Sequence, residues 1–497
     1  MTKYFLVNNA SRASAYGIGT YLRQMAVCVR SIHRFELCFL DINSDAKEFE
    51  VRQEDGVTHY CIPSCHGRFH HFLFYKSILF LLEPFIDKDN PVIFHFNFNY
   101  DFDLMRLIKA SYANCRIIYT IHYFNWCFTL KGNCTKFRKA ISNNSDSGDF
   151  HSVKKEFEED KRLFSLCDDI LVLSKFTYRL LIRDYQISES KLHLVYNGIQ
   201  PEKNKNKCPT TKEQQILFVG RLDEIKGVEY IIKAFRVLLG NNMNVHLNLV
   251  GDGNYNNYLP LCDGIWEHVT FTGKLKKETL LRFFEQATIG VQASFHEQCS
   301  YSAIEMMMYG IPLVATDTTG LAEMMDLTPQ NMVHIDEEAF NADIFVRQLA
   351  DKMQALLTSE KLRQQTSQKQ KELFEKRYLL DKMKRSLETL FLNQRFGNNS
   401  ISPDFIPYLD AEMKRIIDQK TPLDFDPVGF IGIGNYLSWR ISSLEKHRGI
   451  TNFSENVMLQ QYLKFYQEWI NMDVNTIECQ DENDILRTAL KIYNAQL

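Results

Sequence analysis

The sequence predicts an α/β protein: two doubly wound domains facing a cleft, followed by a helical C-terminal extension. Three observations carry this reading. Short, nearly continuous apolar runs recur in two series, stretches of helical spacing lie between them, and a polar Pro- and Lys-rich segment, 197–215, separates the series. Unbroken apolar runs of strand length suit parallel strands buried on both faces. Their alternation with amphipathic helices builds a doubly wound sheet.

The first series is YFLVNN (4–9), FELCFLDI (35–42), VIFHFN (92–97), RIIYTIH (116–122) and DILVLS (169–174). The second is QILFVG (215–220), VHLNLVG (245–251), VTFTG (269–273), IGVQAS (289–294) and PLVATD (312–317). Between them lie helical patterns such as VEYIIKAFRVLL (228–239). The expected domains are therefore 1–200 and 215–374, with a helix near 375–395 that packs back on the first. Residues 400–497 read as a helical extension without a recognisable motif. ISNNSDSGD (141–149) has loop composition, and KKEFEEDKR (154–162) reads as a solvated helix face.

Bulk properties exclude several classes. At 497 residues the chain exceeds one core. A net charge of −3 gives no basic field for nucleic acid. Twelve cysteines occur without a single CxxC, which argues against a zinc site and suits a reducing cytosol. The start, MTKYFLVNN, is a strand-length run and not a secretory signal. FLFYKSILFLLEPF (72–85) is interrupted by Lys76 and too short to span a bilayer; it reads as a core helix, the alternative being peripheral contact with the inner face of a membrane.

Four places can carry chemistry. Gly17-Ile-Gly19 precedes a helix, where backbone N–H groups can approach an anion. Gly220, Arg221 and Lys226 follow the strand 215–220, at the sheet edge where doubly wound domains bind ligands. A guanidinium there can grip a phosphate through two bonds while Lys acts as a point charge. Most lysines and arginines merely face solvent, and spacing alone does not decide between the two readings. Glu297 falls on the loop after strand 289–294, and Glu305, eight positions on, lies inside a helix from Ser300 to Met308 that Gly310 and Pro312 end. Both carboxylates can accept hydrogen bonds from sugar or ribose hydroxyls, and the helix start at Ser300 and Tyr301 offers N–H groups to a phosphate. His95 and His122 each close a strand; His95 reads as a half-buried histidine with a satisfied hydrogen bond. Asp101-Phe-Asp103 has the form DxD and reads as surface.

Over residues 3–395 the chain resembles the retaining, nucleotide-sugar-dependent glycosyltransferases of family 4 (group 1 type), which have the GT-B fold of two Rossmann-like domains. The matching motifs come in the family's order: Gly17-Ile-Gly19, His122, DDILVLSKFT, KLHLVYNGI, LFVGRLDEIKG, LVGDG (249–253), VTFTGKL and the Glu297/Glu305 stretch with GIPLVATD. The resemblance implies that Arg221 and Lys226 neutralise the donor diphosphate, that Glu305 holds the ribose, and that Glu297 lies beside the transferred sugar. It implies further that the Gly19 loop meets the diphosphate, that His122 lies near the sugar hydroxyls, and that Gly17, Gly220, Ser300 and Tyr301 complete the donor site. Cys299 and Ser300 stand where the family usually has Phe-Gly, and Thr319-Gly320 replaces a Gly-Gly. Both departures bear on the donor sugar.

The implied enzyme is a cytoplasmic, metal-independent hexosyl-type transferase with no cofactor. It moves a sugar from an NDP-sugar to a sugar, lipid-linked or peptide acceptor with retention of configuration. Acceptor contacts are expected from 65–85 and 123–150, with 200–214 as a linker that permits closure. A dinucleotide oxidoreductase would need a third glycine and a ribose-binding acid, for which only Asp41 is placed. A phosphorylase would need a pyridoxal lysine. A non-catalytic GT-B partner subunit that binds nucleotide-sugar or glycan would have no need of Arg221, Lys226 and both glutamates.

Overall fold

The computed structural model describes residues 1–9, 17–47, 49–63, 75, 78, 79, 81–87, 90–99, 101–112, 114–142, 149–201 and 212–392. The N-terminal domain runs β1 (Thr2–Asn9), α1 (Gly17–Arg30), β2 (Phe35–Ser44), β3 (Glu50–Glu54), β4 (Val57–Pro63), β5 (Val92–Phe96), α2 (Phe102–Ser111) and β6 (Cys115–Ile121). It continues through α3 (Trp126–Thr129), α4 (Cys134–Ser142), α5 (Asp149–Leu166), β7 (Asp169–Val172), α6 (Lys175–Arg183) and β8 (Leu192–Leu194). Its sheet has the order β3-β4-β2-β1-β5-β6-β7-β8, parallel except for the β3–β4 hairpin.

The C-terminal domain runs β9 (Gln214–Val219), α7 (Val228–Gly240), β10 (Val245–Val250), β11 (Val269–Gly273), α8 (Lys277–Gln286), β12 (Ile289–Gln292) and α9 (Tyr301–Tyr309). Then follow β13 (Leu313–Thr316), α10 (Thr319–Met324), β14 (Met332–Val333), α11 (Ala342–Thr358), α12 (Glu360–Leu373) and α13 (Leu380–Leu392). Its sheet order is β11-β10-β9-β12-β13-β14. In both domains the central strands are mostly apolar because both faces are covered. On β1, Phe5 and Val7 enter one core, whereas Tyr4 and Leu6 enter the other.

The chain crosses between domains twice, and the two crossings are bonded together. Ile199 N–H donates to the Tyr378 carbonyl and Leu380 N–H to the Ile199 carbonyl, each at 3.0 Å. Gly198 makes this possible, since a Cβ there would lie 2.9 Å from the Met383 Cβ. Beyond the crossing α13 lies on the N-terminal domain, its Phe391 ring 4.8 Å from Phe35 and 5.8 Å from Tyr4. The expected linker 200–214 is largely outside the described residues, as are the 143–148 part of the expected loop and the whole extension 400–497. Of the apolar patch 72–85, Ile78, Leu79, Leu81 and Leu82 are buried in the first domain's core. No helix among the described residues is long and apolar enough to cross a membrane.

Two readings need correction. Asp101 is not at the surface: it is fully buried, its Oδ1 accepts from the Tyr75 hydroxyl at 3.4 Å, and its Oδ2 has no partner. Burial pushes its carboxyl up to about 7. Asp103, inside the first turn of α2, is half-buried and pairs with Arg106 at 3.4 Å. His95 is fully buried rather than half-buried, held between the Tyr4 hydroxyl and Thr120 Oγ1 at 2.7 Å each, and desolvation pushes it down to about 3.

Candidate active site

Strands β9 and β12 are neighbours, so the loops after them share one sheet edge. After β9, Asp223 caps a single 3-10 turn, Glu224–Lys226, accepting the Lys226 N–H. Gly227 then takes φ +66°, and a Cβ there would lie 2.2 Å from the Ala293 carbonyl oxygen. Only glycine lets the two loops nest this closely. The Phe295 N–H completes the join by donating to the Ile225 carbonyl at 2.8 Å. The nesting brings two distant sequence positions together: Lys226 Nζ donates to Glu297 Oε1, and the Ser294 hydroxyl donates to the same oxygen at 3.2 Å. Arg221, one-third exposed, pairs with Asp223 at 3.0 Å.

The backbone of Glu297 is gripped from α10. Its N–H donates to Thr319 Oγ1 at 2.9 Å, while its carbonyl accepts from that hydroxyl at 2.7 Å and from the Gly320 N–H at 2.8 Å. Thr319 is a β-branched residue at φ +42°, a conformation that costs about 1–3 kcal/mol. Its two hydroxyl bonds oppose that strain, which gives the Thr-for-Gly departure a physical role. Gly320 is obligatory, because a Cβ there would stand 1.8 Å from the Gln298 carbonyl oxygen.

Helix α9 begins one residue later than the sequence suggests, with Ser300 as its N-cap. The Ser300 hydroxyl accepts the Ala303 N–H at 3.4 Å and exchanges a bond with Ser302 Oγ at 3.0 Å. It is engaged by its own helix, while the Tyr301 and Ser302 N–H groups are among those a helix start leaves without helical partners. Tyr301 and Glu305 line the same cleft, and the buried Tyr301 hydroxyl has no partner. Cys299 is buried, with its thiol pushed up to about 12 by desolvation, so it is a packing residue and not a nucleophile.

The opposite wall belongs to the N-terminal domain. His122 follows β6 with its Nε2 3.2 Å from Asn97 Oδ1 and its ring 4.6 Å from that of Tyr21, edge to face. Desolvation pushes its imidazole down to about 3, so it meets the cleft uncharged at neutral pH. Gly17, the first residue of α1, borders the cleft with open space where a Cβ would project. Gly19 is buried within the first turn of α1 and is absent from the cleft lining. Gly220, Arg221, Lys226, Glu297, Ser300 and His122 all border one cavity of about 950 Å³ between the domains.

Among the further residues that border this cleft and that sequence reading did not assign are Lys274, Lys277, His296 and Gln298. The lysines had a signal, since VTFTGKLKK places them directly after a strand as it does Arg221. His296 and Gln298 had none. His296 is buried and pushed down to about 3 by desolvation and the nearby Lys226 charge. Among the described residues no group of three or more His, Cys, Asp or Glu is arranged to hold a metal ion.

Two doubly wound domains with these residues gathered in the cleft between them define the GT-B architecture. The chain belongs to the group 1 glycosyltransferases: the family model for Glycosyl transferases group 1 matches residues 200–373, and that for Glycosyltransferase Family 4 matches residues 16–203. It is similar to an uncharacterised glycosyltransferase of Methanocaldococcus jannaschii, 31% identical over 172 residues that cover 31% of this chain and 44% of the relative. It is also similar to mannosylfructose-phosphate synthase of Agrobacterium fabrum, 25% identical over 191 residues, covering 34% and 42%. The match thus spans less than half the length of either relative. Among solved structures, sucrose-phosphate synthase from Thermosynechococcus elongatus shares the fold with a TM-score of 0.61 at 16% identity, covering 79% of this chain and 98% of that one. The lipopolysaccharide glycosyltransferase WaaG does so at 0.56 and 14%, covering 78% and 99%.

Proposed function

We propose that this protein transfers a hexosyl group from a nucleoside-diphosphate sugar to an acceptor hydroxyl with retention of configuration. The observation that carries the reading is the Lys226–Glu297 pair, held at adjacent strand ends and facing a neutral His122 across the cleft. In the reaction the sugar C1–O bond breaks, its electron pair leaves with the diphosphate, and oxocarbenium character develops on the sugar. Arg221 and Lys226 are the cations placed to meet that leaving charge, aided by the open N–H groups at the start of α9. They supply the neutralisation without calling on a metal ion.

Donor binding exchanges partners within the ion pair. Lys226 turns to a phosphate oxygen, and Glu297, released from the ammonium, accepts from a sugar hydroxyl. Glu305 takes the ribose hydroxyls from one turn inside α9. His122 Nε2 already contacts Asn97, and as an uncharged ring it can hydrogen-bond a sugar hydroxyl without repelling the oxocarbenium-like centre. The acceptor oxygen attacks C1, and its proton passes to the departing phosphate. Glu297 is then a positioning group.

The relative named for mannosylfructose phosphate supports a sugar hydroxyl as acceptor, a lipid-linked sugar or a peptide being the alternatives proposed. The test is nucleotide release from a panel of UDP-, GDP- and ADP-sugars, repeated with Glu305→Ala. At least one donor should be turned over, and the variant should bind it more weakly. Absence of release from every donor by the wild type contradicts the proposal.

A further inference from the structure

Gln298 follows Glu297 directly and borders the cleft, and its side chain reaches across the domain interface. It is 4% exposed. Its Oε1 accepts from two hydroxyls of the other domain, Thr177 Oγ1 and, at 3.3 Å, Ser174 Oγ. With the amide oxygen fixed by two donors, its nitrogen faces the other way and donates to His296 Nε2 at 3.4 Å. Ser174 is the N-cap of α6, accepting the Thr177 N–H at 3.1 Å. The same helix start is held a second time from the C-terminal domain: Glu323 of α10 accepts the Phe176 N–H at 2.9 Å and the Tyr196 hydroxyl at 2.8 Å.

These contacts converge on the Glu297 loop. α10 carries Glu323 at one end and, at the other, Thr319, which bonds both backbone groups of Glu297. Gln298 is one peptide bond from Glu297 on the opposite side. A displacement of α6 therefore reaches Glu297 from two directions. Because Ser174, Thr177 and Gln298 are all buried, a small displacement of α6 that admits no water leaves polar groups unsatisfied, whereas full separation of the domains hands them to water.

We infer that Gln298 is a positioning residue that makes the placement of Glu297 depend on closure of the N-terminal domain. This rests on the donor-transfer reading above. On that reading the donor diphosphate and ribose are met mainly by Arg221, Lys226 and Glu305 of the C-terminal domain, so an open molecule binds donor, and closure then sets Glu297 for reaction.

The test uses the full chain and alters the far partner, Thr177, which touches neither donor nor Glu297. Thr177→Val keeps the shape and removes the hydroxyl; Thr177→Ser keeps the hydroxyl. Backbone amide exchange over 294–300 should rise about tenfold or more in Thr177→Val, remain near wild type in Thr177→Ser, and stay unchanged in both over β9. With a donor that the wild type uses, Thr177→Val should lower kcat about 10- to 100-fold with donor KM within about twofold, and Thr177→Ser should restore the rate. Unchanged exchange at 294–300 in Thr177→Val overturns the inference, as does a rate loss that appears wholly in donor KM. The exchange measurement needs no substrate, so failure of the donor-transfer reading is seen separately, in the donor panel.

Discussion

The two walls of the cleft are built from similar doubly wound domains and differ in charge. The C-terminal wall is ionic, with Arg221, Lys226, Lys274, Lys277, Glu297 and Glu305 on strand ends and helix starts. The N-terminal wall is neutral apart from the exposed Arg23: His122 is held uncharged, and Asn97 and Tyr21 support it. In the same domain Asp101, after β5, is buried with its carboxyl raised to about 7. On the proposed donor-transfer function the difference is a division of labour: the ionic wall takes the charged leaving group, while the neutral wall offers shape and uncharged hydrogen bonds to the groups that remain.

The largest effect expected from this asymmetry is on the ionic wall. Lys226→Ala should cut turnover roughly 100- to 1000-fold, as removal of one preorganised charge-stabilising donor costs about 3–4 kcal/mol of barrier. Steady-state nucleotide release checks it, and a loss below tenfold breaks the comparison. On the neutral wall, His122→Ala should cost about tenfold, the scale of one uncharged hydrogen bond. The wild-type rate should show no ionisation of His122 between pH 5 and 8, since its imidazole protonates only near pH 3; a kinetic pKa near 6.5 that vanishes in this variant would overturn the neutral wall.

Smaller effects sharpen the picture. Thr319→Val keeps the left-handed β-branched backbone and loses both bonds to Glu297, so thermal unfolding should show about 1–2 kcal/mol of destabilisation. Thr319→Gly relieves the strain while losing the same bonds and should fall within about 1 kcal/mol of wild type. Asp101 provides the pH arm. Its folded carboxyl is raised, so between pH 4 and 7 the unfolded chain releases a proton that the folded chain retains, and its contribution to stability falls as pH rises. Asp101→Asn should therefore be more favourable relative to wild type at pH 8 than at pH 4, by about 3–4 kcal/mol. Unfolding curves at the two pH values decide it.

Much of the C-terminal wall was legible because its chemistry is local. A strand, a glycine and two basic residues in LFVGRLDEIKG mark a sheet edge, and Glu297 and Glu305 straddle a helix start. The central strands were legible because burial on both faces removes polar residues from them. The β3–β4 hairpin escaped because its strands, EVRQE and VTHYCIP, mix polar with apolar residues at the sheet edge, although Asp55-Gly56 carries the positive φ angles of a tight turn. Asp101 was misread because a DxD pattern does not reveal that the loop after β5 folds inward. Gln298 was invisible as a functional residue, and Thr319 was marked only as a departure bearing on the donor sugar and not for its hold on Glu297, since their contacts depend on partners 121 and 22 positions away.

The most direct test of the ionic wall is calorimetric titration of UDP, GDP and ADP into the wild type and into Lys226→Ala, with His122→Ala as the control from the other wall. At least one nucleoside diphosphate should bind the wild type, with affinity reduced tenfold or more in Lys226→Ala and nearly unchanged in His122→Ala. Equal losses in the two variants, or binding indifferent to Lys226, would contradict the division between the walls.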